Sequence, residues 1–236
     1  IPISEWIEYL LHLFEFHSIN STAYDNRNSP TTGKYWLIKT FEVLKGIQND
    51  VVLDGTVYLD ETYFTKVRSK LVTKDGKKLR GISRNKIGVG VACNETKSIF
   101  IVTGTSKPSR KSTKETYSQH IARGSVLVHD DEHSHSILIE ELELESIVYP
   151  TAETKELSDK DNPLYPVNNL HLLLKQFIRN HGAYDREHLQ DWLNLFWFIM
   201  NEPKDKYDKV LKFIEMAVLS PKKVRYRDAM SSKHSK

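Results

Sequence analysis

The chain has 236 residues, 39% hydrophobic and 28% charged, so it can bury a core and is neither disordered nor fibrous. Its single cysteine, Cys93, excludes a disulfide framework and a thiolate zinc ribbon within this sequence. No apolar run reaches the length of a membrane span and no secretory signal is present, so we expect an intracellular protein without a membrane partner. The formal net charge of +3 is too small to indicate a polyanionic partner by itself.

The first part of the chain has helical periodicity. It predicts helices over residues 4–14 and 31–46, joined by a polar loop at residues 21–30. The second helix carries Lys34 and Lys39. This pair of helices fits part of a helix-turn-helix that contacts DNA, and it fits a helical cover on the core equally well.

From residue 51 the hydrophobic pattern changes to that of strands. Strands are predicted at residues 54–64, 86–93, 97–104, 125–129 and 146–149, and helices at 114–123, 136–144, 167–180, 186–201 and 204–219. The order predicts an α/β protein with a mixed central sheet flanked by helices. We expect a helical segment at 1–49, an α/β domain at 50–200, and a helix with a basic tail at 201–236.

Basic residues are concentrated in two clusters. The first includes Lys66, Arg68, Lys77, Lys78, Arg80 and Arg84, and the second includes Lys107, Arg110 and Lys111. Such clusters are typical of surfaces that bind a polyanion. On charge alone, a solvated and flexible loop explains the first cluster at least as well.

Two predicted strands end in acids. Asp60 lies in the segment VYLDETYF at 57–64, and Asp130 directly follows the fourth strand. Sites in open α/β sheets collect at strand ends, so the two carboxylates are candidates to share one site. Paired carboxylates repel each other unless a proton or a cation lies between them, and oxygen ligands suit Mg²⁺. The pair is compatible with metal-assisted phosphoryl chemistry, but strands also end in polar residues simply on reaching solvent.

The sequence resembles bacterial insertion-sequence transposases, which have an RNase H-like catalytic domain of the DDE type. The resemblance extends from about Trp6 to Met200, and its most specific parts are residues 125–137 and 167–198 taken together. The segments that carry it, in order, are VYLDETYF, IGVGVAC, GTSKPSRKST, GSVLVHDDEHSHSILIEEL and VNNLHLLLKQFIRNHGAYDREHLQDWLNLFWF. The group it resembles most is one in which asparagine or histidine replaces the third acid.

The resemblance implies roles for five residues. Asp60 and Asp130 match the two metal-binding aspartates of the family. The third position is matched by Asn168, because the family places a basic residue seven positions later, here Lys175. His171 lies on the same helical face and is the alternative third ligand. Asn168 can also be explained as the N-cap of its helix, and Lys175 as a surface lysine or as a phosphate contact.

The implied function is that of a DNA transposase with two Mg²⁺ ions, or Mn²⁺ in their place. It would cut and then join DNA strands at the terminal repeats of its element and at target DNA, as a homo-oligomer on the bacterial nucleoid. The alternatives are an inactive DNA-binding remnant and a stand-alone metal-dependent nuclease. His129, His133 and His135 suggest a zinc nuclease site, but a helix after residue 133 would separate these side chains.

Overall fold

The computed structural model describes residues 2–65, 72–77, 79, 81–158, 160–181 and 188–231. Lys66, Arg68, Lys78 and Arg80 of the first basic cluster lie outside these ranges. The chain forms two compact units. One comprises Gln48–Leu174, and the other comprises Ile1–Ile47 together with Lys175–Lys236.

The secondary structure alternates as the α/β pattern predicts. The helices are α1 (Ile3–Phe14), α2 (Ile19–Asp25), α3 (Pro30–Leu44), α4 (Arg110–Tyr117), α5 (Ser136–Leu142), α6 (Thr151–Thr154), α7 (Tyr165–Asn180), α8 (Leu189–Met200), α9 (Lys206–Leu219) and α10 (Tyr226–Ser231). The strands are β1 (Thr56–Thr65), β2 (Lys86–Cys93), β3 (Ser98–Thr105), β4 (Val126–His129) and β5 (Glu145–Val148).

The unit Gln48–Leu174 is built on one five-stranded sheet with the order β3-β2-β1-β4-β5. β1, β2 and β3 pair antiparallel, whereas β4 runs parallel to β1 and β5 runs parallel to β4. This order and these directions are those of the RNase H-like fold. The predicted α/β class with a mixed central sheet is therefore confirmed.

One face of this sheet is covered by an apolar core. It contains Val57, Leu59, Ala92, Ile99, Tyr117, Ile121, Leu127 and Leu138, all buried. β2 is buried almost throughout, and its last residue is the buried Cys93, whose pKa burial raises to about 12. At the outer strand β3, the amide of Gln48 donates to the Phe100 carbonyl and accepts from the Phe100 N–H. A side chain thus satisfies backbone groups of Phe100 at the edge of the sheet.

Two expected element boundaries are wrong. Residues 21–30 were expected to form a loop, but α2 occupies residues 19–25, with Ser18 as its N-cap. α4 ends at Tyr117 rather than at residue 123, because the following segment pairs with Leu53. Leu53 N–H donates to the His120 carbonyl, and Ala122 N–H donates to the Leu53 carbonyl.

The second unit is packed around aromatic side chains. Trp36, Trp192, Phe177, Phe196 and Phe198 are almost completely buried in it, so the tryptophan and phenylalanines of α8 belong to a core, as their spacing predicts. At the end of α8, the buried Lys209 ammonium donates to the carbonyls of Phe198, Ile199 and Asn201, at 3.0, 2.5 and 2.6 Å. Within the described ranges, every helix is too short or too polar to cross a bilayer.

Candidate active site beside β1 and β4

Asp60 and Asp130 are brought together by the parallel pairing of β1 and β4. The last pair in this register joins Leu59 to His129, so each aspartate is the residue that follows one partner of the pair. β4 ends at this pair, whereas β1 continues for six more residues to Thr65. Each aspartate side chain is 25% exposed. The two acids, seventy positions apart in the sequence, therefore lie at one partly open site.

The electrostatics of this site favour a cation. Burial, and then the charges of Asp130 and Glu61, raise the pKa of Asp60 to about 7. The pKa of Asp130 is also raised, mainly by burial. A divalent cation would displace the proton of such an acid to solvent and would remove the repulsion between the carboxylates. The donor set of two carboxylates therefore fits Mg²⁺ or Mn²⁺, which prefer oxygen ligands.

The first turns of α7 carry both candidates for a third ligand. His171 is buried, and its Nδ1 lies 3.7 Å from Asp60 Oδ2. Asn168 is half-buried and, among the described residues, its side chain makes no hydrogen bond. It is not an N-cap, because α7 begins at Tyr165 and the Asn168 N–H donates to the Leu164 carbonyl within the helix. His171 is thus the candidate that contacts an acid, and the exposed Lys175 follows one turn later.

A second carboxylate network lies next to Asp60 on the opposite face of β1. Glu61 is 9% exposed, and its Oε1 accepts a hydrogen bond of 2.9 Å from the Tyr117 hydroxyl. His135 Nε2 lies 3.3 and 3.4 Å from the two Glu61 oxygens. Tyr117 reaches Glu61 across Gly90 of β2, where a Cβ would overlap the tyrosine hydroxyl and lie 2.6 Å from its Cζ. Position 90 therefore requires glycine, because the Tyr117 ring passes so close to the β2 backbone.

Two histidines extend this network to β5. His135 Nδ1 lies 3.1 Å from His129 Nδ1, and His129 Nε2 lies 3.0 Å from Ser146 Oγ. Burial opposes the charged form of His135, but the hydrogen bond and charge of Glu61 outweigh it and raise its pKa. Burial and the charge of His135 lower the pKa of His129 to about 4. When His135 is protonated, it donates through both nitrogens, and a neutral His129 accepts through Nδ1 and donates to Ser146.

This arrangement corrects the expectation that the histidines are separated. Residues His133–His135 form a single 3-10 turn, which returns His135 to the end of β4, while His133 is exposed. His129, Asp130 and His135 place ligand atoms within 4.8 Å of one another. Because His135 Nε2 also faces both Glu61 oxygens, we assign this trio to the Glu61 network rather than to zinc.

Several residues of the basic clusters face carboxylates. Lys107 pairs with Glu132 at 3.5 Å, Arg110 with Glu140 at 2.7 Å and Lys111 with Glu115 at 3.8 Å. These pairs are largely exposed, so each contributes little to the stability of the fold. Lys77 and Arg84 are exposed, whereas Lys34 and Lys39 are half-buried. The Lys39 ammonium lies 4.6 Å from the centre of the Tyr35 ring, a cation–π contact.

Sequence reasoning missed Glu61 and Tyr117. A signal for Glu61 was present, because alternate residues of a strand share a face and Val57, Leu59 and Glu61 form such a set. A carboxylate on a buried face requires a partner. Tyr117 could not be identified as that partner, since it is 56 residues away in the sequence and meets Glu61 only through the fold.

No protein-family model matches this sequence, and no curated protein matches it. Among solved structures, the chain is similar to the catalytic domain of Mos1 mariner transposase, with 16% identity, 77% of this chain and 88% of that chain covered, and a TM-score of 0.36. It is also similar to the Mos1 strand transfer complex, at 14% identity, 85% and 71% coverage and a TM-score of 0.38. A third similar structure is the Mos1 transposase paired-end complex with left transposon end. Its sequence identity is 14%, 92% of this chain and 74% of that chain are covered, and the TM-score is 0.35. Because these scores are low, what this chain does has to be inferred from its own side chains.

Proposed function

We propose that this chain is a DDE-type DNA transposase of a bacterial insertion sequence. The observation that carries the proposal is the meeting of Asp60 and Asp130, with His171 against Asp60, in an RNase H-like sheet. The raised pKa of Asp60 supports it, since a carboxylate so placed is suited to a cation. The sequence resemblance assigns the same two aspartates to metal binding.

In this proposal Asp60 and Asp130 hold two divalent cations, and either Asn168 or His171 completes the ligand set. Bound Mg²⁺ or Mn²⁺ would stabilise the attacking and leaving oxygens of an in-line phosphoryl displacement. The carboxylates fix the site, and the partly open side chains leave room for a DNA phosphate. Glu61 and His135 position Asp130 and the turn after β4, because His135 Nδ1 lies 4.0 Å from Asp130 Oδ1.

The reaction would proceed in two displacements at phosphorus. Water first cleaves a phosphodiester at the element end and releases a 3′-hydroxyl. That hydroxyl then attacks a phosphodiester of target DNA, forming one P–O bond as another breaks. Two element ends must be joined to one target, so we propose that the chain works as a homo-oligomer. Lys175 would contact phosphate near the cleaved end.

We propose that DNA backbone is bound by the basic residues of both units. They are Lys34 and Lys39 on α3, the first cluster (Lys66, Arg68, Lys77, Lys78, Arg80 and Arg84), and the second cluster (Lys107, Arg110 and Lys111). Binding that depends on such contacts weakens as salt rises, because bound DNA releases counterions. The division into a helical segment at 1–49, a catalytic domain at 50–200 and a tail at 201–236 is part of the same proposal.

The proposal is tested with DNA from the flanks of the gene in its native locus. The purified chain should nick such duplexes only when Mg²⁺ or Mn²⁺ is added, and it should join the freed 3′ end to a plasmid. Asp60→Ala and Asp130→Ala should each abolish nicking and leave DNA binding intact. Nicking without joining would indicate a stand-alone nuclease, and binding without nicking in either metal would indicate an inactive remnant.

The third ligand is tested by paired variants of α7. If His171 is the ligand, His171→Ala abolishes nicking while Asn168→Ala cuts at the wild-type rate. The opposite result assigns the role to Asn168. Leu172→Ala is a matched control, since Leu172 lies on the same helix and is 64% exposed. Its nicking rate should not change.

A further inference from the structure

A second group of metal-ligating side chains lies in the other unit, at the junction of α1 and α2. His12 is in the last turn of α1, His17 lies in the connection, and Asp25 is the last residue of α2. Each offers one ligand atom, and these atoms all lie within 4.8 Å of one another. Both elements and the connection belong to the unit that contains Ile1–Ile47. The group shares no residue with the acidic site.

Two distances between the ligand atoms match those around a metal ion. His12 Nδ1 lies 3.1 Å from His17 Nδ1 and 3.5 Å from Asp25 Oδ2. Around a tetrahedral zinc ion with bonds of about 2.0–2.1 Å, neighbouring ligand atoms are separated by roughly 3.3 Å. The two distances fall on either side of this value.

Hydrogen bonding explains the arrangement of these three side chains less well than a bound cation does. The same atom, His12 Nδ1, faces both His17 Nδ1 and Asp25 Oδ2. A ring N–H points in one direction in the plane of the ring, so it can serve only one of these acceptors. If His12 donates to His17, Asp25 gains no proton from it. A cation at the common point satisfies all three atoms at once.

The backbone holds the three donors in place. The His17 N–H donates to the His12 carbonyl at 3.1 Å, which fixes the spacing of the two histidines around the turn. Phe16 adopts a φ of 66° in this turn, a left-handed conformation that reverses the chain after α1. Ser18 then caps α2 and orients the helix that ends in Asp25. The site therefore needs no rearrangement of the main chain.

We propose that His12, His17 and Asp25 bind one Zn²⁺ ion, or a transition-metal ion of similar preference. Two imidazoles and one carboxylate suit zinc, and they disfavour Mg²⁺, which prefers oxygen donors only. Three protein donors leave a fourth tetrahedral position for water, which can enter because His12 and Asp25 side chains are 27% and 37% exposed. The ion connects the end of α1 to the end of α2.

The test uses the full chain, stripped with a chelator and kept in excess Mg²⁺ so that oxygen sites are filled. Calorimetric titration with ZnCl₂ should give one ion per chain, and ZnCl₂ should raise the thermal midpoint, since a ligand of the folded state stabilises it. Co²⁺ in place of Zn²⁺ should give the visible absorption of a tetrahedral complex.

Substitutions of the proposed ligands test whether the bound zinc lies at this site rather than elsewhere in the chain. Loss of a group that only hydrogen-bonds to a metal ligand weakens metal binding roughly 10–100-fold. Because His17 and Asp25 are ligands themselves in this proposal, His17→Gln and Asp25→Asn should each weaken ZnCl₂ binding by more than that. Their midpoints without zinc should equal that of the wild type, because these side chains are only partly buried. His188→Gln is the matched control, because His188 also faces an aspartate, Asp191, at 3.7 Å. It should bind ZnCl₂ normally.

Three results would overturn the proposal. They are the absence of ZnCl₂ binding by the wild type, unchanged binding by His17→Gln, and loss of binding in Asp130→Ala with retention in Asp25→Asn. The last result would assign the ion to the acidic site. None of these results bears on DNA nicking in Mg²⁺, so the zinc site and the proposed transposase activity are tested independently.

Discussion

At the scale of single residues, Asp60 makes stability depend on pH. The unfolded chain has an ordinary aspartate, whereas burial and neighbouring acids raise the pKa of Asp60 in the folded protein to about 7. Between about pH 4 and pH 7 the folded state binds more protons than the unfolded state, so stability falls as pH rises through this window. Above about pH 7 Asp60 is ionised in both states, and its destabilising effect no longer changes with pH.

Asp60→Asn should therefore stabilise the metal-free protein. The amide has the shape of the protonated acid but carries no charge, so the gain in thermal midpoint should be larger at pH 8 than at pH 5. Melting curves recorded in a chelator measure both values. Added Mg²⁺ should reduce the difference in thermal midpoint between Asp60→Asn and the wild type, because the ion stabilises only the wild type. An equal gain at both pH values would show that Asp60 is not held at a raised pKa.

Sequence reasoning at the residue scale could place the two acids side by side, but it could not identify the side chains that surround them. Asp60 and Asp130 stand out because each interrupts an apolar, β-branched segment, and their meeting needs only a parallel pairing of neighbouring strands. His171 could be named as an alternative because helical spacing places it beside Asn168. The choice between them depends on how α7 is rotated, which no local pattern encodes.

At the scale of elements, the strands could be predicted and two helices were misjudged. β2 coincides with the segment KIGVGVAC because its buried residues are continuous and flanked by polar ones. α2 was missed since it has only seven residues, although Ile19, Thr22 and Ala23 are buried at helical spacing. α4 ends before the predicted residue 123, because Ile121 bridges to Leu53 beside the sheet.

The close packing of α4 against β2 predicts the effect of one added methyl group. Gly90→Ala places a Cβ against the Tyr117 phenol, so it should destabilise the fold by about 1–3 kcal/mol, the usual cost of overpacking. Chemical denaturation measures this change. In a Tyr117→Leu background the obstructing ring is absent, and the same substitution should cost clearly less. Equal costs in both backgrounds would contradict the proposed overlap.

Lys209 of α9 stabilises the end of α8. Its ammonium satisfies carbonyls that the helix leaves unpaired at its C-terminus. Burial lowers the pKa of Lys209 to about 8, so it is mostly charged at neutral pH. Lys209→Met should cost about 1.5–3 kcal/mol, the range for hydrogen bonds to a charged group.

Lys212 provides the matched control for Lys209. It lies one turn later on α9, is exposed, and donates to the Glu202 carbonyl at 3.1 Å. Lys212→Met should change the free energy of unfolding by less than about 0.5 kcal/mol, as surface substitutions usually do. Equal effects of the two substitutions would mean that burial of the ammonium is unimportant.

At the scale of the whole molecule, the proposed DNA binding depends on basic residues that already have partners, since Lys107, Arg110 and Lys111 each face a carboxylate. The triple variant Lys107→Ala/Arg110→Ala/Lys111→Ala should weaken DNA binding in the proposed function. It should also reduce the slope of log affinity against log salt by up to about 2.7, since each phosphate contact contributes about 0.9. Electrophoretic or fluorescence titration at several salt concentrations measures the slope. Lys97→Ala, in the exposed turn between β2 and β3, should leave it unchanged.

The burial of Cys93 has a practical consequence for such measurements. Its thiol is 4% exposed and its pKa is raised to about 12, so almost no thiolate is present at neutral pH. Maleimide dyes should therefore leave the unaltered protein unlabelled. Two cysteines introduced at exposed positions of one unit become the only attachment points for fluorophores or spin labels, and the distance between them can be followed in solution without first removing the native sulfur.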